Sequence, residues 1–172
     1  ISGILVLKYV EEDKTRITTF TFKSLIQNKN IRAISSFRVL HALSILMVRT
    51  YVPVFARLVL SLSAFKIGFI VAVEKGVNML IQRFTGQLSD KKGRFIMLFV
   101  GASLYALGLV FLPFQRTFFS LAVINGFLGF ADSIREPASM ALFADEGKGK
   151  GITSSFSLRS ILWKPGAVLG PI

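Results

Sequence analysis

The chain has 172 residues, with 21 Lys and Arg against 9 Asp and Glu for a net charge of +12, yet 52% of it is hydrophobic and its mean hydropathy is +0.61. That apolar content excludes a disordered chain, and the absence of cysteine excludes a disulfide scaffold or a Cys-based metal site. A basic nucleic-acid binder needs its cations on a soluble surface. What remains is an all-α polytopic membrane protein whose basic residues sit in the loops of one side.

Residues 1–10 are apolar as far as Glu11. They are too few to cross a bilayer, which takes about 20 residues, and they lack the charged start and cleavage site of a signal peptide. They read as the end of a truncated helix. Residues 11–33 are polar, with Phe22, Leu25, Ile26 and Lys29 at helical spacing. A short helix lying in the interface and an ordinary linker are both open readings of that segment. Four full-length spans follow, at about 34–60, 64–84, 95–114 and 118–143, and a fifth at 152–172 stops inside an apolar stretch. Each full span is long enough for the hydrocarbon core and far longer than a strand. The expectation is a fragment of a larger membrane protein.

Basic residues near the span ends set the topology. Lys8, Lys14, Arg16, Lys23, Lys29, Arg32, Arg83, Lys91, Lys92, Arg94, Lys148 and Lys150 fall on one side, and Arg57, Lys66 and Arg116 on the other. The positive-inside rule places the larger group in the cytoplasm. The net charge then fixes orientation, and no nucleic-acid partner is needed.

After the second span stands Gly86-Gln-Leu-Ser-Asp90-Lys91-Lys92-Gly93-Arg94-Phe95. It resembles the loop motif of the major facilitator superfamily, Gly-x-Leu-Ala-Asp-Arg/Lys-x-Gly-Arg-Arg/Lys. Gly86, Leu88, Asp90, Lys91, Gly93 and Arg94 match, while Ser89 and Phe95 depart from the pattern. Gly86 suits a close helix approach, Gly93 a turn with positive φ, and Asp90 a pair with Arg94 or a helix N-terminus. The resemblance implies a tight cytoplasmic loop that latches one helix bundle to the other. A second stretch, Gly166-Ala-Val-Leu-Gly170-Pro171, resembles the family's Gly-x-x-x-Gly-Pro motif. Small residues four apart allow close packing, and Pro171 invites a kink.

The resemblance implies part of a twelve-helix fold in two halves. Placed in the C-terminal half, residues 1–10 end the sixth span, 11–33 form the central cytoplasmic linker, and 34–172 form a truncated transmembrane bundle. The N-terminal half stays open as the alternative, since the Gly-Pro motif is better known in the fifth span.

Ionisable groups inside spans are costly and mark candidate sites. Arg49 lies mid-way along the first span, with His41 two turns before it; Glu74, Asn78 and Gln82 form one polar stripe on the second, beside Lys75. Such a stripe is expected to face a water-filled cavity or another helix. Asn125 and Asp132 lie seven apart in the fourth span, and Lys164 lies in the fifth. Arg49, Glu74, Asn78 and Asp132 are the candidates for coupling or substrate contact, with Arg49–Glu74 and Asp132–Lys164 as expected pairs. His41 reads as a packed histidine, and Arg135 and Glu136, just before Pro137, read as structural. Helix glue and snorkelling are the alternative roles for all of these groups.

The run Gly147-Lys-Gly-Lys-Gly151 lacks the Ser or Thr and the preceding strand of a phosphate-binding loop. A single His precludes a His-clustered metal site. The function expected from the resemblance is secondary active transport of a small solute by alternating access, with proton-coupled efflux or uptake among the options. Its partners are the bilayer, a small-molecule substrate, protons and the rest of its own transporter chain. No cofactor, metal or catalytic residue is expected. The expected location is the plasma membrane, with the linker and the motif loop in the cytoplasm. A membrane-embedded enzyme acting on lipid-linked substrates and a non-transporting sensor of the same family are the alternatives.

Overall fold

The structure, a computed structural model, describes residues 29–148 and 152–169. The expected helix end at 1–10, most of the expected linker, and Gly170 and Pro171 of the second motif lie outside the described residues. The described chain is all helical: α1 (Lys29–Leu58), α2 (Ala64–Lys92), α3 (Arg94–Phe111) with a 3-10 turn at Leu112–Phe114, α4 (Phe118–Gly147) and α5 (Ile152–Leu169). Three of these, α1, α3 with its 3-10 turn, and α4, are long and apolar enough to cross a membrane by length and composition. By the same measure α2 falls short, with Glu74 and Lys75 in its middle.

Local chemistry sets the helix ends. The Ser63 side chain caps α2 by accepting from the Lys66 amide, and Thr117 and Ser120 form a reciprocal capping box at the start of α4. Between α1 and α2, the Arg57 guanidinium donates to the Leu62 carbonyl at 3.1 Å and ties the short connection down.

Two expected boundaries move. Helix α1 already includes Lys29, the first described residue, so residues 29–33 of the expected linker are helical. Helix α2 continues to Lys92 instead of stopping near residue 84, so the stretch from Gly86 to Lys92 is helix and not loop. Polar side chains mark where a helix leaves an apolar layer, but they do not end it. The break comes at Gly93, whose φ of 98° suits glycine, and α3 starts at the next residue.

Helix α4 is the centre of the bundle, packing against α2, α3 and α5, while α1 packs chiefly on α5. The core has two main apolar clusters. Ile34, Met97, Leu98, Ile134, Ala138, Leu142 and Phe143 form one near the Gly93 end. Ile45, Val52, Ile70, Tyr105, Leu121 and Leu128 belong to the larger one towards the opposite end. Outward-facing Phe65, Met79, Phe84, Phe99 and Phe119 are largely exposed. A solvent of lipid, not water, explains so much outward apolar surface.

Candidate functional site

Between the two apolar clusters lies a buried ionic layer contributed by α1, α4 and α5. Its hub is Glu136. The carboxylate accepts from Arg38 at 3.1 Å, from Arg135 at 3.2 Å and from Arg159. Arg135 also pairs with Asp132, one helical turn before it. Arg135 is only 1% exposed. Two of its nitrogens, Nε and Nη1, have no hydrogen-bond partner among the described residues, so the layer holds more donors than its two carboxylates saturate. The Arg38 guanidinium stacks over the Trp163 ring at 4.6 Å, adding a cation–π contact between α1 and α5. His41 is buried, with its ring stacked on Phe37, edge-on to Tyr105, and its Nε2 3.8 Å from Asp132.

The expected pair Asp132–Lys164 does not form. Asp132 faces Arg135 and His41, and Lys164 is exposed. The cation that α5 turns inward is Arg159. Neither Arg38 nor Arg159 stands out in the sequence, although Arg38 lies between Phe37 and Val39 and Arg159 follows Leu158.

On the other side of the ionic layer, α1, α2 and α4 wall a cavity of about 230 Å³. Val48, Val52, Pro53 and Val71 supply its apolar surface, and Arg49, Glu74, Lys75 and Asn125 its polar groups. Arg49 and Glu74 therefore line one space, but the pair expected between them does not form. Glu74, 8% exposed, takes Lys75 as its partner at 2.5 Å. Arg49 makes no ion pair and no hydrogen bond with another described side chain. Asn125 is buried and donates to the Leu121 carbonyl. Pro53 lies inside α1 and has no amide hydrogen to offer the Arg49 carbonyl one turn before it.

Of the polar stripe of α2, Asn78 reaches α4. Asn78 Nδ2 sits 3.4 Å from both the Gly129 carbonyl and Asp132 Oδ2, and so connects the cavity wall to the ionic layer. The helices meet closely here. A Cβ added to Gly129 would stand 2.2 Å from the Glu74 carbonyl oxygen, and one added to Gly101 would stand 2.8 Å from the Arg135 backbone nitrogen. These two glycines set the α2–α4 and α3–α4 crossings, and neither draws attention in the sequence. Gly86 is different: its added Cβ would reach only ordinary contact, 3.9 Å from Pro137. The expected close approach is therefore not at Gly86.

At the Gly93 end, Arg94 joins three groups. It pairs with Asp145 of α4, donates to the Ala141 carbonyl at 3.1 Å, and lies 3.4 Å from Asp90. Lys91 is exposed. The motif thus ties the α2–α3 turn to the end of α4. Among the described residues, no three His, Asp or Glu side chains converge as a metal site would require.

Comparison with known proteins agrees with this architecture. The family model for the Major Facilitator Superfamily matches residues 2–171. An uncharacterised MFS-type transporter, YqjV of Bacillus subtilis (strain 168), is 32% identical over 124 residues, covering 71% of this chain and 30% of YqjV. The match therefore spans less than a third of that relative's length. An all-helical bundle with outward apolar surface, the Gly86–Arg94 motif and a family match over nearly the whole chain lead to one conclusion: the chain belongs to the Major Facilitator Superfamily, a family of membrane transporters and not of enzymes.

Proposed function

We propose that the complete protein moves a small solute across the membrane by alternating access, with this five-helix bundle forming one wall of the path. The cavity between α1, α2 and α4 carries the proposal, because it gathers Arg49, Glu74 and Asn125 from three helices around one space. Charged groups at membrane depth are costly unless a path or a partner explains them. Asn78 and Asp132, next to that wall, would transmit its state to the ionic layer. In this reading the Arg94–Asp145–Asp90 contacts sit on the cytoplasmic side of the plasma membrane and hold the bundle's inner end together.

Glu74 is the proposed proton carrier, if transport is proton-coupled. Its charged surroundings are Lys75 on its own helix, Arg49 across the cavity on α1, and Asp132 on α4 beyond Asn78. Transport by the full-length protein in liposomes, measured across a pH gradient, tests that role. Glu74→Gln is expected to flatten the dependence on the gradient while leaving gradient-free exchange of solute. An unchanged dependence removes Glu74 from the coupling role.

A further inference from the structure

The cavity has a definite charge. Glu74 and Lys75 are in contact and offset one another, which leaves Arg49 as the group on the wall that no described carboxylate compensates. The remaining lining is aliphatic: Val48, Val52, Pro53 and Val71. A guanidinium offers paired donors in a planar fork that fits a carboxylate. At about 230 Å³, the part of the space walled by this chain is below the ~300–1,000 Å³ that hold drug-sized ligands.

We propose that this cavity binds a small organic monocarboxylate, with its carboxylate on Arg49 and its apolar body against Val48, Val52, Pro53 and Val71. The inference rests on the reading of this cavity as part of the solute path. One unmatched positive charge suits a monoanion better than a phosphate monoester, which carries nearly two negative charges and draws several cations. Nor does the wall suit a cation. Its one carboxylate is already taken by Lys75, and a bound ammonium would face Arg49 unscreened.

The test uses the full-length protein with Val71→Cys as the sole cysteine. The rate of its alkylation by a maleimide is measured with benzoate, benzamide or benzylammonium, three probes of one shape and three charges. Benzoate is expected to slow alkylation by about tenfold, and the two others to leave it unchanged. Adding Arg49→Gln should abolish the protection, and Arg49→Lys should retain part of it, which separates lost charge from lost fold. Adding Glu74→Gln should strengthen benzoate protection, since it frees Lys75. Protection by benzylammonium, equal protection by benzamide, or benzoate protection that survives Arg49→Gln overturns the anion assignment and leaves the cavity as a solute site. Ready alkylation that no probe slows also overturns the assignment. No alkylation at all, in a protein that remains folded and monodisperse, shows the cavity to be closed and overturns the solute-path reading beneath it.

Discussion

The ionic layer around Glu136 and the cavity around Arg49 are built from overlapping helices, with α1 and α4 contributing to both, yet they treat charge in opposite ways. In the layer, Arg38, Arg135 and Arg159 each have a carboxylate within contact distance. In the cavity, Arg49 has none among the described residues, although Glu74 lines the same space. Eleven residues along α1 separate Arg38 from Arg49, about three turns. Burial differs as well: Arg38 and Arg135 are buried, and Arg49 is exposed on the bundle. The contrast shows that an intramembrane arginine is not by itself a functional residue. Its partners decide whether it joins helices, as Arg38, Arg135 and Arg159 do, or is left open to the ligand proposed for Arg49.

The largest expected effect falls on the layer. Arg135→Gln leaves the buried Asp132 without its arginine and takes one of three arginines from Glu136, and breaking a buried pair on one side costs about 3–5 kcal/mol. Thermal unfolding of the full-length protein, followed by size-exclusion of the heated sample, should show a much lower midpoint. A midpoint close to that of the unmodified protein would mean that the layer does not hold α1, α4 and α5 together. Next comes the wall between the two regions. Gly129→Ala forces a methyl group onto the Glu74 backbone, an overpacking worth about 1–3 kcal/mol, and the same measurement reads it. Normal stability there would show that α2 and α4 shift apart easily. The smallest effect is at Lys164. It is exposed and outside both regions, so Lys164→Ala should change stability by less than about 0.5 kcal/mol. A larger loss would restore the pair with Asp132 that the sequence suggests.

Much of this organisation is legible in the sequence, and the misses have physical causes. The helical bundle follows from long apolar runs, and the family from six matching positions between Gly86 and Arg94. The motif is misread as a loop because its residues are polar, whereas helix α2 needs a backbone break to end and finds one only at Gly93. Glu74 and Arg49 draw attention in the sequence because charges in apolar spans are conspicuous, but the pair expected between them does not form: Glu74 takes Lys75 instead. Partner choice is not legible. Lys164 and Arg159 lie five residues apart, about 140° around a helix, so only one of them faces α4, and periodicity alone does not say which. The glycines at 101 and 129 are invisible for a similar reason: a small residue matters only where another helix arrives, and that depends on the packing.

The most telling measurement compares Arg49→Gln with Arg135→Gln in the full-length protein, recording thermal stability and benzoate protection of Val71→Cys for each. Arg49→Gln should unfold within a few degrees of the unmodified protein and lose protection; Arg135→Gln should unfold at a much lower temperature. The reverse pattern, with Arg49→Gln unstable and Arg135→Gln both stable and unprotected, would contradict the division of these helices into a holding layer and a binding wall.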